Sequence, residues 1–248
     1  MRGLLFEYFK MKFRIIIFFL LICFVSCKSL ITNYLIGKAD IYKDLKVLEN
    51  HKGQTIVFFP MVHVGKESYY KDCKTIIDSL RNDGFKIFYE NIAFKDELDS
   101  LTELEYNKKV RAILGFNSSM NSDNESLPKI YSKKNYILQD YALMGISQND
   151  TNLDLDKKAI IDSIEKKYGK IQLTECDINT SLDDEYDCNS DYDKYAFEFK
   201  NKFRDSYISN EVLKLKEDKI VLIYGKMHWY FVYPDLIKNG FKLTQGKV

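Results

Sequence analysis

Hydrophobic positions in this chain form short solid runs, separated by longer segments with a helical repeat. Thr55 to Phe59 is a run of β-forming residues bounded by Gly53 and Pro60, which predicts a buried strand. From Gly65 to Asp83 the apolar positions Tyr69, Cys73, Ile76, Ile77 and Leu80 share one helical face, and Gly84 stops the helix. Lys86 to Tyr89 predicts a second strand ending at Glu90-Asn91. Later helices are predicted over Asp99–Leu114, Asp156–Tyr168, Tyr195–Leu215 (apolar at Phe197, Phe203, Tyr207, Ile208 and Leu215) and Tyr230–Lys238. Short strands are predicted over Tyr136–Leu138, Ile171–Thr174, Lys219–Ile223 and Phe241–Leu243. Asn117 to Lys134 and Ser181 to Asp193 read as polar loops.

Strands alternating with helices predict an α/β fold. The expectation is a single domain with a mostly parallel central sheet flanked by helices, and a site at the carboxyl ends of the strands. No Pro- or Gly-rich linker divides it. Interspersed charges and a formal net charge of +1 leave no basic face for nucleic acid.

The N-terminus predicts something other than fold. Met11-Lys12-Phe13-Arg14 is basic, Ile15 to Val25 is unbroken apolar sequence, and Ser26-Cys27-Lys28-Ser29 follows. That run is too short for a bilayer, which needs about 20 residues, and fits the core of a signal peptide. Phe24-Val25-Ser26-Cys27 resembles the bacterial lipoprotein signal, in which a small residue precedes an acylated cysteine. The expected division is a signal peptide over 1–26, a lipid-anchored linker containing a helix over 27–50, and the α/β domain over 51–248. Cys27 would carry the palmitate-type lipid. The expected setting is membrane-anchored and exported, at the outer membrane facing the periplasm. Of the remaining cysteines, Cys176 and Cys188 bracket a short acidic loop and can pair, with three free thiols as the alternative. Nothing beside Cys73 marks an activated nucleophile.

The chain has three histidines, and two of them follow apolar runs: His63 after Ile56–Phe59, and His228 after Ile220–Ile223. On the strand-end rule, His63, Glu90 with Asn91, Glu175 with Asp177, and His228 share one sheet edge. Two imidazoles and a carboxylate can hold a divalent metal with positions open for water and substrate. The same Glu90 can instead orient one imidazole as a metal-free general base. A histidine or glutamate just past a strand is also commonly an ordinary rim residue. The acidic run around Asp183 and Asp184 lacks EF-hand spacing and reads as a solvated loop. The aromatics Tyr224, Trp229, Tyr230, Phe231 and Tyr233 fit either a core or a sticky pocket.

These residues resemble the TraB/GumN/Tiki family of membrane-associated proteins. The likeness rests on Gly225-Lys226-Met227-His228 with the helix after it, on Glu90 ending a strand, on Arg204-Asp205 in the helix before the last such strand, and on His63. The early motif reads Pro60-Met61-Val62-His63, with proline where the family has glycine. The resemblance implies His63, Glu90 and His228 as catalytic and metal-binding residues, with Arg204 supporting by binding a carboxylate or pairing with Glu90. It implies a metal-dependent, peptidase-like hydrolase using Mn, Co or Zn on a peptide or small-molecule substrate. The alternative is a non-catalytic lipoprotein binding a peptide or haem in the same cleft.

Overall fold

The computed structural model describes residues 37–115, 135–184, 186–188 and 191–247. The signal segment, Cys27 and the loop expected over Asn117–Lys134 lie outside them.

Chain order is α1 (Ile41–Asp44), β1 (Lys46–Asn50), β2 (Thr55–Met61), β3 (Val64–Lys66), α2 (Glu67–Asn82), β4 (Lys86–Tyr89), α3 (Ser100–Leu114), β5 (Tyr136–Leu138), β6 (Thr151–Asn152), α4 (Lys157–Tyr168), α5 (Glu175–Asn179), α6 (Phe203–Lys214), β7 (Lys219–Gly225), α7 (Trp229–Lys238) and β8 (Phe241–Gln245). This is a single α/β domain. Its six-stranded sheet has the order β6-β4-β7-β2-β1-β8, and β3 pairs with β5 separately. β6, β4, β7 and β2 run parallel, and the antiparallel β1 and then β8 extend one side.

β2 and β7 lie mid-sheet and are buried from Ile56 to Met61 and from Ile220 to Gly225, as expected of strands covered on both faces. Their side chains alternate. Ile56, Phe58, Ile220, Leu222 and Tyr224 pack with Ile208, Val212, Trp229, Val232 and Leu236 of α6 and α7. Val57, Phe59, Met61, Val221 and Ile223 pack with Tyr70, Cys73 and Ile77 of α2 on the opposite face. A third cluster joins α3 and α4 through Val110, Ile113, Ile160, Ile161 and Ile164. Pairing between β1 and β2 ends at Phe58, so Pro60 lies beyond β1 and its missing N–H removes no rung there.

One sequence expectation fails and another is modified, each for an identifiable reason. Ile171–Thr174 is not a strand. Ile171 is buried in the α3–α4 cluster, and the chain enters α5 through a capping box made by Thr174 and Asp177. The long helix expected over Tyr195–Leu215 is present, helical from Ala196 to Lys214, but not regular. A π-helical turn over Glu198–Lys202 inserts a residue ahead of α6 and shifts the helical phase. Phe199 is therefore buried, whereas Phe197 is 54% exposed.

The Cys176–Cys188 pair is a disulfide. Cys73 is free and buried, and burial pushes its thiol up to about 12, so it is no activated nucleophile. Among the described residues no helix is long and apolar enough to cross a membrane.

Candidate functional site

Four parallel strands deliver polar residues to one sheet edge. In sheet order these are Asp154 past β6, Glu90 past β4, Gly225 and His228 at and past β7, and His63 past β2. Glu90 is fixed through its backbone, where its N–H donates to the Ile223 carbonyl at 2.9 Å and the Tyr141 hydroxyl donates to its carbonyl oxygen at 2.5 Å.

The Glu90 side chain is buried and accepts three hydrogen bonds. Its Oε1 accepts from Arg204 Nη2 at 2.6 Å and from His228 Nε2 at 3.3 Å, while Oε2 accepts from the Gly225 N–H at 2.6 Å. Burial works against the charge. The His228 hydrogen bond and the Arg204 guanidinium outweigh it, and the carboxyl sits well below the ordinary range. Arg204 pairs with Glu90 and does not face the cavity as a receptor for a substrate carboxylate. Its Nε and Nη2 also donate to Asp154 at 2.8 and 2.5 Å, and its Nη1 donates to the Lys200 carbonyl at 2.7 Å. Asp154 is fully buried.

His228 lies between two carboxylates. Nδ1 is 2.5 Å from Asp205 Oδ1, and Nε2 faces Glu90. A carboxylate oxygen only accepts, so both ring nitrogens donate and the ring is an imidazolium. Burial alone would lower its pKa, but Asp205 and Glu90 raise it to about 9. The π-turn that starts α6 aims Arg204 and Asp205 inward from adjacent positions, one to each partner.

His63 is exposed and differently held. Its Nδ1 lies 2.8 Å from Gln139 Oε1, a carbonyl that only accepts, so Nδ1 carries the hydrogen and Nε2 presents a lone pair. The Gln139 N–H in turn donates to the His63 carbonyl at 2.8 Å. Gly225 brings the parts together. A Cβ at that position would lie 3.1 Å from His63 Nε2, 3.3 Å from Glu90 Oε2 and 3.7 Å from His228 Cδ2. Only the missing side chain lets the three approach one point.

His63 and Glu90 also line a cavity of about 230 Å³. One wall is apolar, with Ile92, Leu114, Leu138 and Phe199, and the other carries His63, Glu90, Asn91, Gln139 and Tyr141. A larger hollow of about 730 Å³ by Ile41, Lys66 and Asp72 contains none of these residues and no convergent chemistry.

The structure thus brings together four of the sequence-predicted residues, His63, Glu90, His228 and Arg204. It does not bring Glu175 or Asp177 to them. Asp177 is buried in the α5 capping box and accepts from Tyr186 at 2.6 Å, while Glu175 is exposed. The late aromatics divide: Tyr224 and Trp229 are core, whereas Tyr230 is 54% exposed. The sequence reading leaves Asp154 and Gln139 out of the site. Gln139 immediately follows a predicted strand, so the strand-end rule could have flagged it. Asp154 follows a strand of only two residues, which has no sequence signature.

As arranged, the donors do not fit a divalent ion. Glu90 Oε1 accepts two N–H bonds and Oε2 one, and both His228 nitrogens carry hydrogens, which leaves His63 Nε2 and one lone pair of Glu90 Oε2, too few for a metal centre. Among the described residues no group of three His, Cys, Asp or Glu side chains is arranged to hold a metal. Comparison of the chain with protein-family models, curated proteins and solved structures finds no match.

Proposed function

We propose that the chain is a hydrolase of acyl bonds, peptidase-like in the sense its resemblance to the TraB/GumN/Tiki family implies, with His63 as general base. The observation that carries this reading is that His63 Nε2 and Glu90 Oε2 both close on Gly225 while their side chains line one cavity. A water in that cavity can give its proton to His63 Nε2 as its oxygen attacks a carbonyl carbon. The protonated Nε2 then returns that proton to the leaving group as the acyl–heteroatom bond breaks. Gln139 holds the His63 tautomer that this requires. Glu90 faces the attacking water and stabilises the imidazolium that forms. Arg204 and His228 keep Glu90 ionised, and Asp154 and Asp205 position those two cations.

The proposed setting is an exported protein anchored through lipidated Cys27. The basic-then-apolar segment ending at Cys27 supports it, and so does the Cys176–Cys188 disulfide, a bond favoured in oxidising compartments. Mass analysis of the N-terminal peptide of the membrane-extracted protein tests this, and an unacylated Cys27 would overturn it.

The test of the chemistry is hydrolysis of p-nitrophenyl butyrate and of a fluorogenic peptide library. The expected result is turnover lost in His63→Ala and Glu90→Gln and unchanged after dialysis against EDTA. Turnover that survives His63→Ala sinks the general-base role, and turnover that disappears with EDTA and returns with Mn²⁺ establishes the metal-dependent alternative.

A further inference from the structure

We infer that this cavity selects uncharged or cationic ligands carrying one small apolar group, and rejects carboxylates and other anions. The inference rests on the proposed hydrolase site and names its substrate class. The reasoning starts with the charges behind the cavity. Glu90, Asp154 and Asp205 contribute three negative charges, and Arg204 and His228 two positive ones. The cluster is therefore net negative by one.

Neither cation is available to a ligand. Arg204 is 2% exposed and engages Glu90, Asp154 and the Lys200 carbonyl. His228 is 4% exposed and spends both ring nitrogens on Asp205 and Glu90. Among the described residues no lysine or arginine lines the cavity, and the one charged side chain that does is Glu90. An anion entering here would meet a carboxylate in a partly apolar enclosure, where charge repulsion is weakly screened.

What the cavity offers is suited to a neutral acyl group. Asn91 lines the cavity with a neutral carboxamide whose N–H groups can donate to a carbonyl oxygen. Leu114, Leu138 and Phe199 form a compact apolar wall. The volume, about 230 Å³, is below the roughly 300–1,000 Å³ of pockets for drug-sized molecules, and suits one side chain with its flanking carbonyl.

The experiment titrates the full chain, in non-ionic micelles, with three matched probes: phenylacetamide, phenylacetate and phenethylammonium. The reporter is the His63 ring signal in a histidine-selective NMR spectrum, assigned by its loss in His63→Ala, in a chain with three histidines. The expected result is phenylacetate binding at least about tenfold more weakly than phenylacetamide, with phenethylammonium at least as tight as the amide. Asn91→Lys, which adds a cation to the cavity wall, should remove the penalty on phenylacetate. Phenylacetate binding as tightly as the amide, a penalty unchanged in Asn91→Lys, or no shift of the His63 signal with any probe overturns the inference. Binding is read without turnover. A selective but inactive protein would therefore reject the hydrolase while retaining the selectivity, and an active but unselective one would do the reverse.

Discussion

His228 Nε2 faces Glu90 Oε1 at 3.3 Å, while its other nitrogen meets Asp205 at 2.5 Å, so one ring separates two buried carboxylates. Removing the ring strips Asp205 of this partner and leaves Glu90 to Arg204 and the Gly225 N–H. His228→Ala is expected to destabilise the fold by about 3–5 kcal/mol, the usual cost of breaking a buried pair from one side. His63→Ala removes an exposed ring with one side-chain hydrogen bond and is expected to cost less than about 1 kcal/mol. Urea unfolding of the two variants checks the contrast. Similar losses for both would show that His228 does not hold the carboxylates apart.

The same relationship fixes a pH dependence. The folded-state pKa of His228 is raised from 6.5 to about 9, so its contribution is complete below about pH 6.5 and disappears as pH rises through 9. At 1.36 kcal/mol per unit the loss is on the order of 3 kcal/mol. Glu90 has the opposite sign. Its carboxyl is held well below the ordinary value of 4.5, so its stabilisation is present above that pH and is lost on further acidification. Thermal or urea unfolding across pH 4 to 10 should show stability falling at both ends. In His228→Gln the alkaline fall should shrink, and its persistence would assign that fall to another group.

Gly225 separates activity from stability. Its backbone, at φ −52° and ψ 140°, is ordinary for any L-residue, so alanine meets no backbone barrier. The obstacle is steric, because the new Cβ would sit 3.1 Å from His63 Nε2 and 3.3 Å from Glu90 Oε2. Overpacking of this kind costs about 1–3 kcal/mol. Displacing a general base by even 1 Å costs on the order of 100-fold in rate. Gly225→Ala is therefore expected to remain folded by circular dichroism while hydrolysis of p-nitrophenyl butyrate falls about 100-fold. Full activity in a folded Gly225→Ala variant would show that the approach of His63 to Glu90 is not needed for the reaction.

Much of this geometry was legible in the chain because buried parallel strands are written as solid apolar runs. β2, β4 and β7 each announce themselves that way, and the residues just past them, His63, Glu90 and His228, do converge. What stayed hidden depends on pairing and phase, not on burial. Ile171 and Leu173 alternate like a strand, yet Ile171 packs against α3 and α4 and finds no sheet partner. β6 pairs with β4 over two residues, too few for a periodicity, and Asp154 was hidden with it. The π-turn before α6 moves Arg204 and Asp205 inward together, an arrangement that a regular helical repeat read through Phe197 and Phe203 does not contain. The cysteine spacing left the disulfide open, since only the folded path of the acidic loop sets the distance between Cys176 and Cys188.

That disulfide gives the remaining prediction. Cys176 and Cys188 close a 12-residue separation around a loop that is also clamped from α3. Arg111 is 1% exposed and donates to the carbonyls of Ser181, Asp177 and Thr180 at 2.5, 2.9 and 2.8 Å, and its guanidinium lies 4.7 Å from the Tyr186 ring centroid. Loop-closure entropy for a crosslink of this span is worth roughly 3 kcal/mol. None of the loop's described residues lines the cavity. Cys176→Ser with Cys188→Ser is accordingly expected to lower stability by about 2–3 kcal/mol and leave hydrolysis within about twofold. Arg111→Ala should cost more, because it takes the same donor from three carbonyls, that of the buried Asp177 among them, and removes a buried guanidinium. Urea unfolding with a parallel hydrolysis assay checks both. If the double serine variant unfolds at the wild-type midpoint, the Arg111 clamp alone holds the loop.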